Sequence, residues 1–435
     1  MESTISLTLK NNHTNHLSKY IDNIILIFLL LTIFFRAFQY YFGILAVTQY
    51  FTFPLALIFI FFQSLNLIKF NDNKTLLLIY FFFISWLFYG LITLFFSIQP
   101  NLTINVLAHR TASFLIFYVV TQFLTTKRRF SAFEKILFVC LIWNIGVAVW
   151  EITTFNHFPM SRFYNMPWFI PTGTFRNENF FCSILLILSS FLFFLKGKYT
   201  KHLAASLLFI LSFIFICQGA RMAIAFFFPL VVFFFIKNTN FLYKISVIIV
   251  ILLSIKILFA ANPLYKEIAK NHFQKQIMSL GSEFESLSIG STKARLNLID
   301  LSLEEFAATG GLGVGAGTFE TLVRNPSKKD NIMGSIDAHL IFAEVLGTEG
   351  IIGLVLVCLI IFSCLKPIVL KNNKISFINL IKLWSLSDNE KHAIIIVAFF
   401  LISTTLIATY KIEYIYWAIL GYAYAMMYNT IEQKS

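Results

Sequence analysis

The chain predicts an all-α fold crossing a membrane with about twelve helices and carrying one large helical loop outside the cytoplasm. Three observations lead there. Of 435 residues, 58% are hydrophobic, 53 are Phe, and only 13% carry charge. Soluble domains carry about a quarter charged residues, so a soluble fold is excluded. Apolar runs long enough for a hydrocarbon core of about 30 Å recur along the whole chain. Between the ninth and tenth runs, roughly Ala261 to Asp337, the apolar pattern stops and polar residues concentrate.

The expected spans are 21–37, 43–67, 75–97, 103–124, 132–153, 178–195, 203–218, 221–236, 241–260, 338–365, 392–410 and 412–429. The last two should form a tight pair. The first ten residues are polar and no small-residue cleavage site follows the first span, so that span is read as a retained helix. Residues 1–260 thus carry spans one to nine, 261–337 the loop, and 338–435 spans ten to twelve, as one structural unit.

The net charge of +13 reflects topology and not nucleic-acid binding. Lys127, Arg128 and Arg129 form one basic cluster, Lys196, Lys198 and Lys201 a second, and Lys366, Lys371 and Lys374 a third. The loops on the opposite side hold only Arg36, Arg162, Arg176, Arg221 and Lys411 outside the long insertion. By the positive-inside rule both termini are cytoplasmic and the long loop faces outward. The five cysteines, Cys140, Cys182, Cys217, Cys358 and Cys364, all fall in spans and read as buried small hydrophobes.

The long loop has helical content. Pro263 to Leu280 fits an interfacial helix. Ser291 or Thr292 can cap a second helix running to about Thr309, with Leu296, Ile299, Leu303 and Phe306 as its expected buried stripe. Gly310 and Gly311 should end it. The following GLGVGAG is no dinucleotide fingerprint, because it follows a helix and a Gly-Gly stop, not a strand. It also lacks the Gly-Lys-Ser/Thr ending of a phosphate-binding loop, so it reads as tight backbone turning at the membrane surface.

A few polar residues stand out at the outward side. Arg221 follows Gln218-Gly219-Ala220 at the end of a short hairpin. It can snorkel to lipid headgroups or bind an anionic group such as a lipid-linked phosphate. Arg176, in GTFRNENFF, has the same two readings. Arg295 lies beside the stripe of the loop helix. His109 and Arg110 sit about two turns into the fourth span and should face a cavity or the bundle interior. Asp337 or Ser335 can cap the tenth span, placing His339 in its first turn. There the helix dipole favours a neutral imidazole able to accept a proton, whereas the neighbouring Asp337 opposes that bias.

In order and spacing, these pieces resemble the O-antigen ligase and polymerase superfamily. The resemblance covers roughly residues 170 to 365 and rests on GTFRNEN, QGAR, ARLNLIDLSLEEFAATGGLGVGAGTF and AHLIFAEVLGTEGIIGL. The chain departs from the common family pattern at Ala220-Arg221-Met222, where Ser-Arg-Gly is usual, and at Leu340, where Asn commonly follows the histidine. The resemblance implies a GT-C-like membrane glycosyltransferase in the inner membrane. It would move an O-antigen-type glycan from undecaprenyl diphosphate to an acceptor hydroxyl at the periplasmic face, with neither cofactor nor metal. Arg221 and Arg295 would hold the diphosphate, His339 would be the catalytic base, and Arg176, Arg110 and Asp337 would be accessory.

The implied acceptor is lipid A–core for a ligase, or the growing glycan for an O-antigen or capsular polymerase. Membrane lipids are the other expected partners, and no nucleic acid is. A polysaccharide transporter or flippase is the alternative of a different class. It would place substrate residues near the bilayer midplane, often within internal repeats, and no repeat is visible here.

Overall fold

In a computed structural model, residues 18–33, 47–159, 161–166, 168–173, 175, 178–194, 198–218, scattered positions between 223 and 270, 291–323, 341–371, 388–406 and 414–432 are described. Every regular element among the described residues is helical. In chain order they are α1 (18–33), α2 (Val47–Ser64), α3 (Lys74–Thr93), α4 (Pro100–Phe123), α5 (Lys127–Thr154), α6 (Glu178–Ser189, continued as a 3-10 turn Ser190–Phe194) and α7 (Lys198–Gln218). Then come α8 (Ser291–Ala308), the single turn α9 (Phe319–Val323), α10 (Ile341–Lys371), α11 (Asp388–Leu406) and α12 (Tyr414–Glu432).

Helices stand at ten of the twelve expected spans; those expected at 221–236 and 241–260 lie mostly outside the described residues, as does the interfacial helix expected at 263–280. Five described helices are long and apolar enough to cross a membrane: Lys74–Thr93, Pro100–Phe123, Lys127–Thr154, Thr200–Gln218 and Ile341–Cys364. Thr52–Ser64, Glu178–Phe193 and Lys391–Ile402 are shorter apolar helices. The chain is therefore an integral membrane protein.

Local signals account for the ends of these helices. Asn73 caps α3, its Oδ1 accepting from the backbone N–H of Thr75 at 2.8 Å and of Leu76 at 3.1 Å. Pro100 opens α4 at the position where a missing N–H costs nothing. Thr126 caps α5, and Phe155 ends it in a left-handed conformation.

Two helices organise the packing. α12 is buried at every position from Ile415 to Met427 and contacts α4, α11 and α10. Its Trp417 packs edge-on against Phe83 of α3, with ring centroids 4.7 Å apart, and against Phe400 of α11. α11 lies against both α12 and α6, so the expected closing pair of helices is formed. α10 is the second organiser, flanked by α3 on one side and α8 on another. Apolar residues that face away from neighbours, such as Phe81, Phe88, Val355 and Phe362, suit hydrocarbon as their solvent.

Two sequence expectations need correction. Among the described side chains the buried face of α8 is Leu298, Leu301 and Ser302, not Leu303, which is 48% exposed; Ile299 and Phe306 are half-buried, and the Leu296 side chain lies outside the described residues. The reason is contact with α10. Ser302 lies where Gly347 leaves room, a Cβ on Gly347 coming within 3.0 Å of Ser302 Cα. Small residues let two membrane-associated backbones approach, and that approach sets which side of α8 is covered. Leu298 and Leu301 then pack with Val314, Phe319, Leu322 and Val323 from the loop and α9. Among the cysteines, Cys140, Cys182, Cys217 and Cys364 are buried as expected, but Cys358, on α10, is exposed.

Candidate functional site

α10 is broken in its third turn. Gly350 has φ 65° and ψ −161°, a combination essentially confined to glycine, so the regular ladder fails on both sides of it. The glycine run between α8 and α9 repairs the break. Gly347 and Thr348 offer their carbonyls to the N–H groups of Val314 (3.3 Å) and Gly315 (2.8 Å), and Gly311 accepts from Ile351 N–H at 3.0 Å. The Glu349 carbonyl accepts from the Tyr89 hydroxyl at 2.9 Å. A buried helix break keeps its polar groups satisfied this way, which is how irregular backbone survives at membrane depth.

The approach is close enough to exclude side chains. A Cβ at Gly313 would stand 2.5 Å from the Thr348 carbonyl, and one at Gly350 would collide with the Gly311 carbonyl oxygen. The run is thus tight turning, as the sequence suggests, used to plug a discontinuous helix. Gly350→Ala is expected to destabilise the protein by about 3 kcal/mol through backbone strain and clash. Its unfolding temperature in detergent, measured against wild type, checks this, and an unchanged value would contradict it.

The same break carries a buried ion pair. Glu349 is fully buried and Arg110 on α4 is 2% exposed. The Arg110 guanidinium engages the carboxylate with two nitrogens, Nη1 to Oε2 at 2.9 Å and Nη2 to Oε1. Trp86 Nε1 adds a third donor to Oε2 at 2.8 Å, and its ring lies 4.1 Å under the guanidinium carbon. Burying two charges is costly, and a two-pronged pairing with an extra donor and a cation–π face is what offsets it. Gly90 makes the space: a Cβ there would meet Leu107 Cδ2 at 2.5 Å and Arg110 Nη1 at 3.2 Å. Arg110 therefore faces the bundle interior, as expected, and ties α4 to the broken helix.

A second polar cluster sits where α5 ends. Glu151 is fully buried; its Oε2 accepts from the backbone N–H of Thr172 (2.9 Å) and of Gly173 (2.6 Å). Its Oε1 lies 2.9 Å from His157 Nδ1, while His157 Nε2 donates to the Trp168 carbonyl at 2.7 Å. The Thr172 hydroxyl reaches both Glu151 Oε1 and Ser161 Oγ. Because a carbonyl can only accept, His157 carries its proton on Nε2, and one further proton is shared with Glu151. Glu151 so anchors the connection that leads into GTFRNEN.

α7 reaches the same connection. Gln218, the first residue of QGAR, donates from Nε2 to the Pro171 carbonyl at 3.0 Å and to the Glu178 carbonyl at 3.5 Å. Glu178, at the start of α6, is paired with Arg162. The backbone on either side of Arg176 is therefore fastened to the residue three before Arg221.

Of the residues expected to form the site, Arg110 is placed with its side chain, and Arg295 falls on the first half of α8 with its side chain outside the described residues. Arg176, Arg221, Asp337 and His339 lie outside the described residues. Sequence reasoning missed Glu349 as the partner of Arg110 and missed the Glu151–His157 pair. The signal was present: a carboxylate inside an apolar span must find a partner, and Glu151 and Glu349 each stand inside one.

No curated protein matches the chain. Residues 184–358, from α6 into α10, match the family model described as O-antigen ligase, which supports the resemblance to the O-antigen ligase superfamily.

Proposed function

We propose that the protein transfers a glycan from undecaprenyl diphosphate to an acceptor hydroxyl, lipid A–core being the favoured acceptor, on the outer face of the inner membrane. The match to the O-antigen ligase family model supports a membrane glycosyltransferase of ligase or polymerase type. What carries the finer reading is the content of the matched stretch: QGAR, the Arg295 helix, His339 and GTEGIIGL all fall within residues 184–358.

In this reading the acceptor oxygen attacks the anomeric carbon while the bond from that carbon to the diphosphate oxygen breaks. The acceptor proton passes to His339, and undecaprenyl diphosphate departs with the bonding electrons. Arg221 and Arg295 neutralise the charge that builds on the leaving diphosphate, electrostatic stabilisation of the kind that dominates many enzymes. Arg176 and Asp337 are accessory, and Arg110 acts through its hold on Glu349 and the α10 break. The sugar–diphosphate bond is already activated, so the reaction draws on no nucleotide. One displacement with one base inverts the anomeric configuration, whereas retention by double displacement would need a carboxylate nucleophile.

Deleting the gene and separating surface lipopolysaccharide on a gel tests the reading. Loss of a ligase leaves bare core while long undecaprenyl-linked chains accumulate. Core carrying a single repeat would instead assign the polymerase reaction. Loss of long lipid-linked chains from the outer side would support a flippase and overturn transfer altogether.

A further inference from the structure

Gln218 is 6% exposed, and its amide orientation is settled by its neighbours. Nε2 faces two main-chain carbonyls, of Pro171 and Glu178, which can only accept, so a flipped amide would set oxygen against oxygen. Its Oε1 is therefore held pointing away, and it is buried with no hydrogen-bond partner. Glu178, whose main chain that amide touches, repeats the pattern. One carboxylate oxygen engages Arg162, and the other, Oε2, is buried without a partner. Leaving such acceptors unpaired is costly, and two on adjoining residues are an unusual expense in a native fold.

We propose that Gln218 Oε1 and Glu178 Oε2 form a subsite that accepts hydrogen bonds from hydroxyl groups of a sugar unit in the glycan. Both acceptors lie where the outward ends of α6 and α7 meet, on the two segments that carry Arg176 and Arg221 in sequence. A sugar ring presents neighbouring hydroxyls, each with one hydrogen to give, which matches two acceptors with none. The diphosphate, which offers oxygens and few hydrogens, would be repelled by Glu178, so the subsite takes the sugar and the arginines take the phosphates. The assignment rests on the glycan-transfer reading above and names the residues that position the sugar.

The test uses full-length protein in liposomes with undecaprenyl-diphosphate-linked glycan extracted from cells lacking the gene. Glu178→Gln preserves shape and removes the charge. Its KM for the lipid-linked glycan should rise about tenfold, the worth of a hydrogen bond to a charged group, with a much smaller fall in kcat. The rise in unfolding temperature that the same glycan gives wild type should shrink in parallel. Gln218→Met should show the same two losses, and Glu178→Asp serves if Glu178→Gln does not fold.

Unchanged KM and unchanged glycan-induced stabilisation in a folded variant would mean that the acceptors hold only buried water, and would overturn the subsite. Stabilisation of wild type by the glycan with no transfer by any protein would instead overturn the transfer reading while leaving the subsite in place.

Discussion

Glu349→Ala is expected to prevent stable accumulation of the protein in the membrane. The substitution leaves the Arg110 guanidinium buried without its counter-ion and removes the acceptor of Trp86 Nε1. Breaking one side of a buried pair costs about 3–5 kcal/mol, a large part of the 5–15 kcal/mol that holds a typical domain together. The cost falls on the junction of α3, α4 and α10, which also seats the glycine run. Arg110→Ala should behave alike. Arg110→Leu combined with Glu349→Leu should recover much of the lost protein, because an apolar pair of similar volume needs no compensating charge. Membrane-fraction yield and the gel-filtration profile in detergent report the outcome. Wild-type yield from Glu349→Ala would show that the pair does not hold the junction.

The sequence made the helices legible because their apolar runs are long and their caps are local. The expected spans 75–97 and 103–124 meet α3 and α4 to within about four residues, and Gly310, expected as a stop, follows the end of α8. The bounds of α8, Ser291 to Ala308, were equally open to reading from Ser291 and the Gly-Gly stop. Its buried face was not, because a periodic stripe says which residues are apolar and not which neighbour arrives; Ser302 wins the contact by being small opposite Gly347.

The Arg110–Glu349 pair was hidden for another reason. Its partners stand 239 residues apart, so nothing local joins them, although each alone is an anomaly in an apolar span. The glycine run could be recognised as turning, but its role in satisfying the carbonyls around Gly350 depends on a helix break that only the folded chain displays.

The second large effect concerns chemistry and not stability. His339→Ala is expected to abolish transfer, with the protein still inserted and monodisperse. Without a base, the acceptor hydroxyl must lose its proton unaided; general-base assistance contributes about 10²–10⁴-fold, so activity should drop by that factor, to the edge of detection. Arg221→Ala and Arg295→Ala should also depress transfer, through the leaving diphosphate.

The most direct measurement incubates purified protein in liposomes with undecaprenyl-diphosphate-linked glycan and lipid A–core, without nucleotide or added metal. The expected result is glycan joined to lipid A–core, one undecaprenyl diphosphate released for each glycan transferred, an inverted linkage, and no product with His339→Ala. Glycan that crosses the bilayer still attached to its lipid, or full transfer by His339→Ala, would contradict the account.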